Sequence, residues 1–97
     1  EDHELAAQFL HKRPARKRIA AFLLSLSTRA ARRDESTTEL RLPMSRTDIG
    51  NYLGITLETV CRELARLEKL GTIALHKREL TILDLPRLRQ PICEESS

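Results

Sequence analysis

The sequence predicts a mainly α fold with a small antiparallel β wing, and three observations carry that prediction. A long stretch from Ala15 to about Arg33 repeats apolar residues at helical spacing. Two shorter helical patterns follow, separated by Gly54, and after them come two short alternating runs around a basic tip. At 97 residues, with 40% hydrophobic but only 3% aromatic side chains, the chain has room for one small domain packed mostly by leucine and isoleucine.

Residues 3–12 read as the end of a helix, with Leu5, Phe9 and Leu10 as its apolar contacts. Pro14 marks a break or a first-turn position. In the long helix from Ala15 to about Arg33, Ile19, Phe22, Leu23, Leu26 and Ala30 fall on one stripe, and Arg16, Lys17, Arg18, Arg29, Arg32 and Arg33 are placed on the other faces. Asp34 to Thr38 is a polar loop, and a short strand over 38–42 turns Leu40 and Leu42 to one side before Pro43. Ser45 then starts a helix: its oxygen can accept from an orphan backbone N–H, and the Asp48 carboxylate favours the positive helix end. Ile49, Tyr52 and Leu53 are assigned to the core face of that helix. Gly54 supplies the left-handed backbone position that ends it. Gly50, inside the helix, costs about 1 kcal/mol relative to alanine, a cost that close approach of the second helix explains. Thr56 restarts the chain as an N-cap, Val60, Leu64, Leu67 and Leu70 form the apolar stripe, and Gly71 is the stop. Glu58, Cys61, Arg62 and Ala65 share a neighbouring face and point outward. Thr72 to His76 and Leu80 to Leu83 make a hairpin around Lys77-Arg78-Glu79, and Asp84 caps a short last turn through Pro86, Leu88 and Arg89. Residues 91–97 are expected to be a disordered acidic tail. The unit over 14–90 is therefore a winged helix-turn-helix.

Charge is unevenly distributed. The chain has a formal net charge of only +3, yet Glu1, Asp2, Glu4, Glu94 and Glu95 lie at its ends, and residues 5–93 carry 17 basic against 9 acidic side chains, a net +8. A basic body with acidic ends fits a polyanion, here double-stranded DNA. No apolar run is long enough for a bilayer and no segment resembles a signal peptide, so no membrane role is expected, and the expected location is cytoplasmic in a cell without a nucleus or nuclear otherwise. Cys61 and Cys93 are isolated, and His3, His11 and His76 are scattered; no metal site and no structural disulfide are expected. Ser25 and Ser27 lie within the long helix and no Gly-rich phosphate loop occurs, which argues against an enzyme. An RNA-binding module would need exposed aromatic platforms, and Tyr52 is assigned to the core. The alternative is a winged-helix protein–protein interaction module without sequence-specific DNA readout. Such a face would be apolar or acidic, whereas this one carries Arg46, Arg62, Arg66 and Lys69.

The run Leu42-Pro43-Met44-Ser45-Arg46-Thr47-Asp48-Ile49, followed by Glu58-Thr59-Val60-Cys61-Arg62 and Leu67-Glu68-Lys69-Leu70-Gly71, resembles the C-terminal winged-helix domain of the Crp/Fnr family of bacterial transcription regulators. The resemblance covers about residues 14–90. Crp-like members carry an arginine where this chain has Leu57, which cannot donate to a base; Fnr-like members carry Glu, then Ser-Arg, where this chain has Glu58, Cys61 and Arg62. The chain therefore resembles the Fnr/FixK subgroup. That likeness implies a recognition helix of about 56–70 in the major groove of a palindromic operator with TTGAT-like half-sites. Arg62 is then expected to donate to guanine O6 and N7, and Glu58 to accept from cytosine N4 while helping to hold the arginine. Cys61 departs from the family serine: a thiol is a poor donor and a better neighbour for a thymine methyl. It is also the candidate redox-sensitive residue, since an oxidised or glutathionylated thiol on this face would obstruct docking.

Phosphate contacts are implied for Arg46, Thr47, Thr56 and Thr59 near helix starts, and expected of Arg66 and Lys69 along the second helix and Lys77 and Arg78 on the wing. The resemblance further implies that residues 1–13 are the tail of a linker or dimerisation helix, and that a homodimer sets two recognition helices roughly 34 Å apart. RNA polymerase would be a partner of the full-length protein, with activation or repression set by operator placement and polymerase contacts. Any cofactor would belong to a sensor domain outside this chain, and none is expected within it.

Overall fold

The computed structural model describes residues 14–96, with side chains through Gln90, so the helix end expected over 3–12 lies outside the described residues. Helix α1 (Ala15–Arg32) opens behind Pro14, whose carbonyl accepts from the backbone N–H groups of Lys17 and Arg18 at 3.0 and 3.2 Å. Its expected stripe is the buried one: Ile19, Phe22, Leu23, Leu26 and Ala30 all enter the core. Strand β1 (Glu39–Arg41) follows the polar loop, then α2 (Arg46–Leu53), α3 (Leu57–Lys69), β2 (Ile73–His76), β3 (Glu79–Ile82) and α4 (Leu85–Ser96).

The strands form one antiparallel sheet in the order β1-β3-β2. Leu80 sits opposite both Leu40 and Leu75, so the central strand places a leucine fully in the core while each neighbour covers it from one side. The hairpin tip is the pair Lys77 and Arg78, because Glu79 already pairs with His76; Lys77 takes the left-handed conformation, φ +57°, that the tight turn requires. The sequence pattern showed β1 but not that it would join the wing as a third strand. Together α1, α2, α3, the sheet and Leu88 of α4 enclose a continuous core that includes Leu42, Ile49, Val60, Leu64, Ile73 and Ile82.

Four expectations need correction. Arg18, placed on an outer face by its charge, is buried, at 7% exposure. Its position explains this: it lies four residues before Phe22 on the edge of the apolar stripe, and its guanidinium reaches main-chain acceptors across the domain. Tyr52, assigned to the core, is 65% exposed. Ile49 and Leu53 lie four residues apart and point inward, whereas Tyr52 is one residue, about 100°, round the helix from Leu53. Its ring rests on the edge of the core against Phe22, centroids 5.9 Å apart and tilted by 59°. Leu70, expected to complete the stripe of α3, is exposed because it is the C-cap residue, where the chain departs toward Gly71 at φ +78°. Finally, α4 is longer than a single last turn and includes residues 91–96 of the segment expected to be a disordered tail. Asp84 caps it as expected, Oδ1 accepting from the Arg87 N–H at 3.1 Å; Pro91 removes one backbone donor without ending the helix.

Candidate nucleic-acid interface

The interface begins with how α2 is started and stopped. Ser45 adopts an extended conformation and its Oγ accepts from the Asp48 N–H at 3.1 Å, while the Asp48 carboxylate lies in the first turn near the positive helix end. At the other end Gly54 is left-handed, φ +76° and ψ +31°, which breaks the helix and redirects the chain. The redirection is tight. A Cβ on Gly50 would lie 2.7 Å from the Ile55 carbonyl oxygen and 3.5 Å from Cγ2 of Val60, so only glycine lets the end of the turn and the start of α3 come this close. Thr56 then caps α3, its Oγ1 accepting from the Thr59 N–H at 3.1 Å and lying 2.8 Å from the Thr59 hydroxyl.

Anchoring of α3 decides which side chains face solvent. Val60, Leu64 and Leu67 are buried on its inner side. Glu58, Cys61, Arg62 and Ala65 are exposed together on the outer side, as their spacing predicts. Cys61 is a free, exposed thiol. Among the described residues neither Glu58 nor Arg62 enters an ion pair, so the salt bridge between them that their spacing permits is absent from this structure. Both side chains stand available to a ligand.

The residues expected to touch phosphate are divided by the structure. Thr47, Thr56, Lys69, Lys77 and Arg78 are exposed, and Arg46 and Thr59 are partly covered. Arg46 Nη2 donates to the Lys77 carbonyl at 3.3 Å, tying the first turn of α2 to the wing tip, and the Leu42 N–H donates to the Arg78 carbonyl at 2.8 Å. The helix-turn-helix and the wing are thus joined directly. Arg66 is instead engaged within α3, its Nε donating to Glu63 Oε1 at 3.0 Å in a half-sheltered pair. An open groove between the start of α1, the side of α3 and α4 collects Arg16, Lys17, Arg62, Arg66 and Arg87 against Glu63, extending the positive surface away from Arg62.

Three supporting side chains have no obvious motif in the sequence. Arg18 Nη1 donates to the carbonyls of Leu53 and Gly54 at 3.0 and 3.2 Å. Arg87 Nη1 donates to the Leu70 carbonyl at 3.2 Å, closing the end of α3, and Glu68 Oε2 accepts from the Leu75 N–H at 3.3 Å, fixing α3 to β2. The one usable sequence signal was the spacing of Arg18 from Phe22. Among the described residues no three His, Cys, Asp or Glu side chains are grouped so as to hold a metal, and no helix is long and apolar enough to cross a membrane.

Comparison with known proteins agrees with this geometry. The Crp-like helix-turn-helix domain family matches residues 17–91. The Transcriptional regulatory protein btr of Bordetella pertussis is 52% identical over 80 residues, 82% of this chain and 33% of that protein. The Fumarate and nitrate reduction regulatory protein of Escherichia coli K12 is 47% identical over 81 residues, 84% of this chain and 32% of that protein. The chain spans about a third of the length of these curated relatives. Among solved structures, FixK2 of Bradyrhizobium japonicum superposes with a TM-score of 0.76 at 37% identity, over 92% of this chain and 44% of that one. A Crp-family transcriptional regulator from Thermus thermophilus gives 0.64 at 27% identity, over 84% of this chain and 42% of that one.

Proposed function

Since the chain belongs to the Crp-like helix-turn-helix family, we propose that it is the DNA-binding domain of an Fnr/FixK-type transcription regulator whose α3 reads a TTGAT-like half-site from the major groove. The observation that carries this reading is the two-sided construction of α3: Val60, Leu64 and Leu67 are buried, and Glu58, Cys61 and Arg62 are exposed together on the opposite side. Arginine presents a planar fork that matches guanine O6 and N7, and a carboxylate next to it accepts from the N4 of the paired cytosine. Glu58 and Arg62 are four residues apart on one helix face, so a single G·C pair falls within reach of both. Cys61, between them, offers the polarizable surface that a thymine methyl would meet.

Around these readers, Thr47, Thr56 and Thr59 lie near the starts of α2 and α3, where free backbone N–H groups attract phosphate. Lys69, Lys77 and Arg78 supply sequence-independent charge, and Arg46 holds the wing tip in place beside them. Arg66 acts from within its pair with Glu63, which makes it the weakest member of the phosphate set. In the full-length protein this reading makes a cytoplasmic homodimer on a palindromic operator, contacting RNA polymerase, with a sensor domain outside this chain. It has no enzymatic role.

Selection from random duplex DNA tests the proposal. The chain should enrich a TTGAT-like half-site at low salt, with affinity falling steeply as salt rises. Arg62→Ala should lose the guanine preference at a cost of about 1–3 kcal/mol. Enrichment unchanged by Arg62→Ala would move the base reader elsewhere, and no enrichment by the wild-type chain would refute sequence-specific binding.

A further inference from the structure

Arg18 stands apart from the other cations of this domain. Surface arginines serve a polyanion, but Arg18 is 7% exposed and turned inward from α1. Burying a guanidinium is costly, and an apolar side chain of similar volume commonly packs as well or better. One nitrogen of the guanidinium makes two hydrogen bonds, to the carbonyls of Leu53 and Gly54. These are the last residue of α2 and its left-handed cap, at the end where a helix leaves acceptors unfilled and its dipole is negative. The backbone N–H groups of Gly54 and Ile55 both turn back to the Gly50 carbonyl, so the reversal itself is made by main chain. Arg18 fastens that reversal to α1, which the core holds through Ile19, Phe22 and Leu23.

The consequence falls on α3. Thr56, its cap, is two residues beyond Gly54, and Arg62 lies six residues further on, about 9 Å along the helix. A small change in the turn becomes a larger displacement at Arg62. Base readout needs donors placed to within a fraction of an ångström, whereas phosphate attraction tolerates such a shift.

We propose that Arg18 is a positioning residue for DNA readout: by gripping the two carbonyls of the turn it sets the direction in which α3 leaves α2, and so controls discrimination between sequences more than overall attraction to DNA. This rests on the DNA-reading function proposed above. Arg18→Met keeps the long stem and removes both donors; Arg18→Lys keeps the charge on a different head group. Each chain is assayed, below its own thermal midpoint, against a duplex carrying the selected half-site and against a scrambled duplex of equal length.

Arg18→Met should lower the ratio of specific to scrambled affinity about tenfold, no more than the scale of a single lost hydrogen bond from a charged donor. Its affinity for the scrambled duplex and its salt dependence should stay at wild-type values, and Arg18→Lys should recover part of the ratio. Equal loss on both duplexes would reduce Arg18 to a contributor to stability and overturn the proposal. If Arg18→Met does not fold, Arg18→Gln, a polar side chain on a shorter stem, decides: a wild-type ratio overturns the role, and a lowered ratio at unchanged scrambled affinity supports it. Wild-type protein that does not discriminate removes the DNA reading and this role together, whereas discrimination shared equally by wild type and both variants removes the role of Arg18 alone.

Discussion

Helix α3 and the wing both offer cations to solvent, but they are held in different ways. The helix is buried along its inner side by Val60, Leu64 and Leu67, capped at its start by Thr56, closed at its end by Arg87 and fixed to β2 by Glu68. The wing tip is a two-residue turn, tethered by the Arg46 contact with the Lys77 carbonyl and the Leu42 contact with the Arg78 carbonyl. A base edge is read by hydrogen bonds of fixed direction, so its reader must be rigid; a phosphate is a diffuse negative target that a less constrained cation can follow. Under the proposed function the two regions suit two tasks, with specificity on α3 and sequence-independent attraction at the wing.

The largest effect should come from loosening the anchor of α3. Leu64→Ala removes a side chain that is 3% exposed and should destabilise the domain by about 2–5 kcal/mol, measured by denaturant unfolding. A loss below about 1 kcal/mol would mean that the inner side of α3 collapses freely and does not hold the reader still. Next comes the outer side. A glutathione adduct at the exposed Cys61 should weaken half-site binding by about tenfold or more, equivalent to 1.4 kcal/mol, through obstruction of the face proposed to meet DNA. The same loss in Cys61→Ser after identical treatment would place the effect elsewhere. Smallest should be the wing: Lys77→Ala and Arg78→Ala should each weaken all sequences alike and reduce the salt slope by about 1, leaving the selected half-site unchanged. A changed half-site would give the wing a part in base readout and erase the division between the regions.

Local signals and long-range contacts differed sharply in how much could be read from residues alone. The caps at Ser45, Thr56 and Asp84, the left-handed Gly54 and Gly71, and the outward set Glu58, Cys61, Arg62 and Ala65 depend on neighbours within one or two helical turns, and all are found where spacing put them. Gly50 was legible for a related reason, since a glycine inside a helix demands a packing explanation. Arg18 was not: its acceptors lie 35 and 36 residues away, and charge alone placed it on the surface. Tyr52 failed because helical spacing gives a direction but not the width of the buried face. The third strand of the sheet and the link from Arg46 to the wing likewise depend on elements that meet only after folding. Within the interface, then, the helix caps and the outward set of α3 could be read from local pattern, and the contacts between distant elements could not.

The central claim is that Arg62, held by α3, reads a guanine. A double-mutant cycle tests it most directly: affinity is measured for wild type and Arg62→Ala, each against the selected half-site and the same half-site with its G·C pair replaced by A·T. Direct readout predicts that either change alone costs about 1–3 kcal/mol and that the second adds little once the first is made, a coupling of similar size. Strictly additive losses would contradict it, because they would mean that Arg62 and the guanine contribute to binding without touching each other.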